Sequence, residues 1–387
     1  MVVASFSVWL SLAAGCSTPK APLVEPPPPP DVESGRYGVD PAKSPRESKR
    51  VLVVYNATSP ISRKIAEYYG SKRRIPRTQV IGVKCLDGEQ MGETAYRSDI
   101  ENKVRAVLSL SKNQIDFVVL TKGIPLRVGD SSGYSVDAKL MAMNRDGAPI
   151  PASLEKVPEA EAESAMRRNA NPYAGATEGF SSRKYNMTLV TRLDGYKWEH
   201  IKGLVDRSLT AKPVKGPYFF DCADNRKGGG YGELQETMVN AHRMMKGAGV
   251  DVTLETTGKF VNPGRALMGY CSWGSNDGAF DAAAYKALRF LPGALAETFV
   301  STSGRTMLPT DKGQSLIADL IASGITGVKG YVSEPYTIAL CRADVLFTRY
   351  LNGFNLAESF YAASPLLHWK DIVIGDPLCN PYGKADK

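Results

Sequence analysis

The segment RVLVVYN (50–56) is a continuous apolar run, which is typical of a strand buried on both faces of a sheet. The segments QVIGVKC (79–85) and IDFVVLTKGIPLRV (115–128) have the same character. Amphipathic helical patterns separate the three runs, one opened by Pro60 and one spanning 96–110. Because a strand–helix–strand–helix–strand order forms a parallel sheet with right-handed crossovers, the sequence predicts an α/β fold.

The alternation continues after a polar stretch at 129–185, which we interpret as an irregular excursion or lid. MTLVTRLDG (187–195) precedes a helix, and PYFFD (217–221) begins a second alternating series. Its later strands are VDVTLET, ALMGYCSW, ALAETFV, GITGVKGYVSEPY and DIVIGDP. We therefore predict two successive three-layer parallel-sheet units, at 50–195 and 196–387.

The apolar N-terminus, residues 1–15, ends in small residues just before Cys16 and is too short to span a bilayer as a helix. It has the shape of a signal peptide, and LAAGC resembles a bacterial lipoprotein cleavage site at which Cys16 is lipidated. No Lys or Arg precedes the apolar run, and Ala13 replaces a larger aliphatic residue, so an ordinary cleaved signal or a frayed apolar start are the alternatives. A proline-rich spacer follows at 17–49.

Composition excludes several protein classes. The 387 residues are 43% hydrophobic and 23% charged, which argues against a disordered chain, a collagen-like repeat, a coiled coil or a multi-span membrane protein. The net charge is +8, and the segment from Lys43 to Arg77 carries ten bases against Glu47 and Glu67. Behind a lipid anchor, this cluster would orient the protein on an anionic membrane surface. We expect no nucleic-acid partner, since no recognition motif accompanies the charge.

Helix 60–75 is predicted to expose half of these bases: Arg63, Lys64, Lys72, Arg73 and Arg74. The six cysteines and three histidines show no metal-ligand spacing, so we predict no metal and no cofactor. Buried free thiols are the simplest interpretation of the cysteines at the ends of apolar runs.

Ligands of doubly wound sheets bind beyond the carboxyl ends of strands, and four predicted strand ends are polar or glycine-rich: 270–277, 301–306, 333–336 and 375–377. The catalytic candidates in these segments are Tyr270, Asn276, Asp277, Ser301, Ser303 and Glu334. The binding candidates are Trp273, Arg305, Tyr336 and Asp376. The alternative is that these residues only form turns.

Two further motifs favour structural roles. The loop NRKGGGYGE (225–233) lacks a complete phosphate-binding pattern, so we interpret it as a flexible loop. Arg192 and Asp194 of RLDG are expected to form an ion-paired hinge between the units. Because no histidine lies at a predicted strand end, a serine or cysteine hydrolase that uses histidine is poorly supported.

The ordered motifs VLVVYNATSP, VVLTKGIPLRV, LVTRLDG, GYVSEPY and IVIGDPL resemble an uncharacterised bacterial family found in genomes that carry exosortase, the presumed transpeptidase of PEP-CTERM protein sorting. The resemblance spans roughly residues 50–382. It implies a role in envelope protein sorting, with an envelope protein or peptide as ligand.

A more distant resemblance is to gingipain-like cysteine peptidases, whose caspase-like unit also ends in a GDP strand. It implies that the second unit is caspase-like, with a histidine after its third strand and a cysteine after its fourth. The corresponding positions here hold Tyr270-Cys271 and Ser301-Thr302-Ser303. We therefore expect an exported, lipid-anchored accessory or binding protein. The alternative is a hydrolase with a non-standard site that lacks the Cys-His dyad.

Overall fold

The computed structural model describes residues 45–145 and 148–383. The predicted signal peptide, Cys16 and the spacer up to residue 44 lie outside the described residues. Within the described ranges, no helix is both long and apolar enough to cross a bilayer.

Thirteen strands are present in the described ranges. They are β1 (Val51–Asn56), β2 (Val80–Val83), β3 (Gln90–Met91), β4 (Phe117–Thr121), β5 (Arg127–Val128), β6 (Tyr134–Ser135), β7 (Leu189–Leu193), β8 (Tyr218–Asp221), β9 (Val252–Glu255), β10 (Ala266–Ser272), β11 (Arg289–Thr298), β12 (Gly327–Tyr331) and β13 (Asp371–Ile374).

Thirteen α-helices accompany them in the same ranges. They are α1 (Pro45–Ser48), α2 (Pro60–Lys72), α3 (Glu93–Ala95), α4 (Asn102–Leu110), α5 (Val136–Met141), α6 (Glu159–Arg168), α7 (Ser182–Tyr185), α8 (Trp198–Thr210), α9 (Gly229–Gly247), α10 (Ala282–Lys286), α11 (Ile317–Ala322), α12 (Ala343–Leu351) and α13 (Leu356–Ala362). A π-helical turn, Tyr96–Glu101, leads into α4.

Ten strands form one continuous sheet in the order β2-β1-β4-β7-β13-β12-β11-β10-β8-β9, and β3, β5 and β6 form a small second sheet. In the ten-stranded sheet, strand pairs are parallel except for β12 with β13, which are antiparallel over four residue pairs. In the small sheet, β3 and β5 are parallel, and β5 and β6 are antiparallel. The predicted α/β class with a mostly parallel sheet is confirmed. The strands of the two predicted series lie side by side in this sheet, with β13 between them.

Helices cover both faces of the sheet. On one face, Ile317 of α11 contacts Gly330, where an added Cβ would come within 2.7 Å of it. On the opposite face, Leu356 of α13 closes over Gly327, and Phe347 of α12 packs against Phe220. Close packing of this kind explains why glycine occurs inside β12. The three-layer arrangement buries the all-apolar strands that the sequence predicts.

The carboxyl ends of the parallel strands in the two series lie at a common edge, which we call the carboxyl edge. Glu89, beyond β2, accepts a hydrogen bond from the backbone of Met307, beyond β11, over 2.6 Å. Arg127, beyond β4, donates to the backbone oxygen of Val332, beyond β12, over 2.9 Å. These contacts orient the two series alike, although β13 meets β7 only in one locally parallel pair.

The opposite edge, where the parallel strands begin, is called the amino edge. Arg207, near the end of α8, donates to the backbone oxygen of Ile325, which precedes β12. Arg73, after α2, forms an ion pair with Asp376, which follows the antiparallel β13. The predicted exposure of Arg73 is wrong, because its side chain is 1% exposed in this pair.

The polar excursion at 129–185 packs between the two series. Ser135 donates to the backbone oxygen of Asp371 over 2.7 Å, and Asn171 donates to the backbone oxygens of Tyr361 and Ser364. The backbone N–H of Phe180 donates to the buried carboxylate of Glu358 over 2.8 Å. The segment therefore contributes to the core of the described fold.

The RLDG motif lies at the end of β7. Arg192 is fully buried, and its guanidinium pairs with Asp137 of α5 and donates to the backbone oxygens of Ile124 and Pro125. Asp194 pairs with Lys122 over 3.1 Å. The motif thus fixes the Gly-Pro turn and α5 against the sheet. These direct partners all come from the first series of strands and helices.

Candidate functional site

The carboxyl ends of β8, β10 and β11 lie side by side, because Asp221 is in register with Ser272, and Ser272 with Thr298. Segments 273–277 and 301–306 leave the sheet here, so the structure brings together two of the four predicted strand ends. A ligand can use this area only where the side chains of these two segments are not already occupied by hydrogen bonds within the protein.

Trp273 closes the centre of this area. Its indole nitrogen donates to Gln235 of α9 over 2.9 Å, and its ring packs edge-on against Phe299 and Tyr231 at centroid distances of 5.0 and 5.8 Å. The side chain is only 1% exposed. Trp273 therefore forms the wall of the site, and Tyr231 carries the exposed part of this aromatic group.

Asn276 ties the two loops together. Its amide nitrogen donates to the backbone oxygen of Phe299 over 2.7 Å, and its amide oxygen accepts from Gln314 over 2.9 Å. The carboxylate of Asp277 accepts from the backbone of Ala279 over 2.8 Å and is almost buried. Asp277 shapes its own loop and Asn276 joins it to the neighbouring one, so both side chains act structurally, as in the turn-forming alternative that the sequence left open.

Hydrogen bonds also fix the conformation of segment 301–306. Arg305 donates to the backbone oxygens of Thr302 and Gln314 over 3.1 and 2.7 Å. Ser303 is fully buried, and its hydroxyl has no hydrogen-bond partner among the described residues. Ser301 is half-buried at the start of the loop. None of these hydroxyls is hydrogen-bonded to a histidine or a carboxylate in the described part of the chain.

Tyr270 does not reach the cleft. Strand β10 continues to Ser272, so Tyr270 lies inside the strand with its side chain fully buried beside Phe290. Burial raises the pKa of its hydroxyl well above the usual value, and the nearby Asp221 adds to that effect. The expectation that Tyr270 faces the cleft is wrong, because its side chain is fully buried against the sheet two residues before β10 ends.

Glu334 and Tyr336 form a separate group beyond β12. The exposed Glu334 accepts from the backbone N–H of Tyr336 over 2.9 Å, and the Tyr336 ring stacks on Trp369 at a centroid distance of 6.0 Å. Tyr336 has a positive φ of 53°, a left-handed conformation that is uncommon for a tyrosine. Tyr336 and Trp369 belong to a small apolar cluster with Ile150 and Ala339, and Glu334 lies outside it.

Asp376 lies at the amino edge, so the expectation that it joins the cleft is wrong. Because β13 runs antiparallel to β12, its carboxyl end points away from the other strand ends. The Asp376 carboxylate accepts hydrogen bonds from Tyr69, Arg73 and Ser208, all of them buried. It is a structural anchor for the C-terminal segment.

Sequence reasoning missed Asp221, the last residue of β8. Its carboxylate accepts from the backbone of Val261 over 3.2 Å, while its Oδ1 has no partner among the described residues. Burial raises the pKa of Asp221 to about 7, and the nearby Asp277 adds to that effect. The strand-end rule applied above to β10 and β11 would have identified this residue in PYFFD.

A buried charged group below the carboxyl edge was also missed. The Lys329 ammonium lies 3.2 Å from Asp371 and donates to Ser364, and the Tyr331 hydroxyl donates to Glu297 over 3.0 Å. Burial raises the pKa of Glu297 well above its usual range despite the nearby Lys329, which favours the neutral form of the side chain. The only sequence signal is a single Glu inside the apolar run ALAETFV.

The described cysteines are buried, and none forms a disulfide. Burial raises the pKa of the Cys271 and Cys341 thiols well above the usual value. His200 and His242 lie on α8 and α9, and His368 precedes β13. In residues 45–145 and 148–383, no group of three or more His, Cys, Asp or Glu side chains is arranged to hold a metal ion.

A shallow cavity of about 300 Å³ opens beside Trp273 at the carboxyl ends of β8 and β9. Ala223, Lys227, Gln235 and Thr256 line it. The segment predicted as a flexible loop forms its rim, with a short turn at Asp224–Arg226 before α9 begins at Gly229.

Arg226 lies over the Tyr231 ring at 4.7 Å, and Tyr231 is 46% exposed. The surface next to the cavity therefore carries an aromatic ring and a guanidinium group. We call this pair the Arg226–Tyr231 platform.

No protein-family model and no curated protein sequence matches this chain. A solved structure titled "Structure of Protease" aligns over 87% of this chain and 79% of its own length, with a TM-score of 0.43 and 11% identity.

Proposed function

We propose that this protein is an exported, envelope-anchored binding component of exosortase-linked protein sorting and does not hydrolyse peptides. The observation that carries the proposal is the packing of Trp273 between Phe299 and Tyr231, with its indole N–H bonded to Gln235. This wall closes the carboxyl ends of β10 and β11, next to the segments 270–271 and 301–303 that the resemblance assigns to the missing catalytic residues.

Nucleophilic catalysis requires an accessible nucleophile with a base within hydrogen-bond reach. Cys271 is fully buried, and its raised pKa keeps it a thiol. Ser303 is equally buried and has no hydrogen-bonded base among the described residues. These properties favour a surface that binds a ligand over one that cleaves it.

The Arg226–Tyr231 platform suits a short peptide that contains proline and glutamate, the residues for which the PEP-type sorting signal is named. Proline rings pack on exposed tyrosine faces, and a glutamate carboxylate pairs with a guanidinium. The adjacent 300 Å³ cavity offers room for one further side chain.

Fluorescence anisotropy with a synthetic PEP-type sorting peptide tests the proposal. We expect saturable binding to the purified full chain, with the peptide recovered intact. Tyr231→Ala or Arg226→Ala should weaken binding about tenfold, while the exposed Arg243→Ala on α9 serves as a matched control. Cleavage of the peptide that is lost on Ser301→Ala or Ser303→Ala would overturn the proposal.

The anchoring part of the proposal rests on Cys16 and has its own test. Metabolic labelling with a clickable fatty acid should mark the wild-type chain and leave Cys16→Ala unlabelled, with the variant moving to the soluble fraction. Equal labelling of both chains would show that Cys16 is not the anchor. This outcome would leave the peptide-binding test unaffected.

A second candidate function, a hydrolase with a non-standard site, is favoured by Asp221 alone. A carboxyl group with a pKa of about 7 at a strand end can accept or donate a proton at neutral pH. Its test is a screen of ester and peptide substrates. Any turnover should follow a pH profile with a midpoint near 7 that disappears in Asp221→Asn.

A further inference from the structure

The segments that lead into the parallel strands carry a strong excess of exposed positive charge along the amino edge. From the first series, the exposed bases are Lys49, Lys72, Arg74, Arg77 and Lys112. The Gln79 side chain donates to the backbone oxygen of Lys49 and accepts from Asn113. These hydrogen bonds join the segments before β1, β2 and β4 into one surface.

The second series extends this surface. Its exposed bases in the corresponding segments are Lys212, Lys215, Lys246, Arg265, Lys286 and Arg289. They do not belong to the N-terminal cluster that accounts for the net charge, and nothing in their sequence spacing indicates that they lie together. The common direction of the strands brings them to one edge.

Contacts between neighbouring segments make the edge continuous. Asp376 binds both Arg73 and Ser208, and Tyr382 donates to the backbone oxygen of Val214 over 2.7 Å. The backbone N–H of Asp251 donates to the backbone oxygen of Lys215 over 2.7 Å.

Further contacts link the segments that lead into β10, β11 and β12. Arg265 pairs with Asp251, and Arg289 donates to the backbone oxygen of Gly264. Ser323, before β12, donates to the backbone oxygen of Lys286.

Acids are scarce on this surface. Among the described residues of these segments, Asp251 and Asp281 are exposed acids, and Asp251 already pairs with Arg265. Glu47 and Asp206, at the margin, are partly buried and pair with Arg50 and Lys202. The carboxyl edge differs, because exposed acids such as Asp87, Asp224 and Glu334 are interspersed there with the bases.

We propose that the amino edge is a docking surface for an anionic phospholipid membrane. In this orientation, the carboxyl edge with its cavity and the Arg226–Tyr231 platform faces away from the bilayer. The inference deepens the proposed function by adding an orientation to the anchor. Its charge argument rests on residues 45–383 and does not depend on lipidation of Cys16.

The position of the tether favours a membrane as the occupant. The chain enters the fold through Lys49 and Arg50, at the amino edge itself. Cys16 precedes Pro45 by 29 residues, a length that can reach at most roughly 100 Å. A lipid on such a long tether brings the body near the surface without fixing its orientation. Bases within a Debye length of about 8 Å of anionic headgroups would supply that orientation.

The test uses the full chain carrying Cys16→Ala, so that acyl chains cannot contribute to binding. In vesicle sedimentation, we expect at least about tenfold tighter binding to phosphatidylglycerol–phosphatidylcholine vesicles than to phosphatidylcholine alone, with the difference lost as salt rises. Absence of this preference overturns the proposal, and so does tighter binding to duplex DNA than to the anionic vesicles.

Two charge-matched variants locate the surface. Lys72→Glu, Arg74→Glu, Lys212→Glu and Lys215→Glu together should abolish the preference for anionic vesicles. The control combines Lys84→Glu, Lys197→Glu, Lys259→Glu and Lys312→Glu on the carboxyl side and should retain most of it. Equal losses in the two variants would show that net charge, and not the amino edge, drives binding. A version of the first set with glutamine at the same four positions is the control for misfolding. It should lose only part of the preference for anionic vesicles.

Discussion

Arg73 and Asp376 lie 303 positions apart in the chain and form an ion pair in which both side chains are almost fully buried. The Arg73 Nε donates to Asp376 Oδ2 over 2.6 Å, and Tyr69 and Ser208 donate to the same carboxylate over 2.8 Å each. The pair connects α2, α8 and the segment after β13. It therefore fastens the two series of strands together at the amino edge.

Removing one partner of this pair should be strongly destabilising. We expect Asp376→Ala to lower the free energy of unfolding by about 3–5 kcal/mol, because the Arg73 charge would stay buried without its carboxylate. Urea denaturation measures the change. The exposed pair Arg265–Asp251 provides the control, and Asp251→Ala should cost less than about 1 kcal/mol. Similar values for both variants would contradict the structural role of Asp376.

The strands of the sheet could be predicted from the sequence, because runs such as Val51–Val54 are apolar throughout and need cover on both faces. The direction of β13 could not be predicted. An all-apolar run carries no periodicity that distinguishes a parallel from an antiparallel neighbour, so Asp376 was assigned to the wrong edge. The burial of Arg73 could not be predicted for the same reason, since its partner Asp376 directly follows the strand whose direction was unknown.

A neutral isostere should replace Glu297 with little loss of stability. Because burial favours the neutral form of this side chain, we expect Glu297→Gln to change the free energy of unfolding by less than about 1 kcal/mol. Glu297→Ala should cost roughly 2–4 kcal/mol, since it leaves a cavity and the Tyr331 hydroxyl without its acceptor. Urea denaturation of both variants checks this. A large loss in Glu297→Gln would show that the carboxylate is ionised.

The thiols should be inert in the native protein. In the Cys16→Ala chain, the five remaining cysteines are buried, and burial raises the pKa of Cys85 to about 11 and that of Cys222 to about 12. We expect a thiol reagent such as DTNB to modify none of them within minutes at pH 8, and all five after unfolding in guanidinium. Fast reaction of one native thiol, mapped by mass spectrometry to Cys271, would support a mechanism in which this thiol is the nucleophile.

The site was predicted less well than the fold, for a physical reason. Strand-end position alone identified Trp273, Asn276 and Arg305, which the structure brings to one area. Whether such side chains face a ligand or lock a loop depends on partners far away in the chain, such as Gln235 and Gln314. Local sequence contains no information about those partners, and it also does not show that the Tyr270 side chain is fully buried.

The pH dependence of stability should reveal Asp221. An unfolded Asp ionises near pH 3.9, whereas the folded-state pKa is about 7, so folding favours the protonated form. The resulting stabilisation is complete below about pH 4 and is lost as the pH rises through 7. It amounts to roughly 2–4 kcal/mol after allowance for partial solvent access. Asp221→Asn cannot ionise, so it should gain stability relative to wild type between pH 4.5 and 8.

Urea denaturation of both proteins at several pH values measures this difference. Glu255, at the end of the neighbouring strand β9, supplies a control of opposite sign, because hydrogen bonds from Thr257 lower its pKa. The ionised Glu255 stabilises the folded state above its unfolded pKa, and this stabilisation is lost as the pH falls. Glu255→Gln should therefore be less stable than wild type near neutral pH and equally stable in acid. If Asp221→Asn tracks wild type at every pH, the carboxyl group is not buried as an acid. In that case, the hydrolase alternative has no identified group that could transfer a proton at neutral pH.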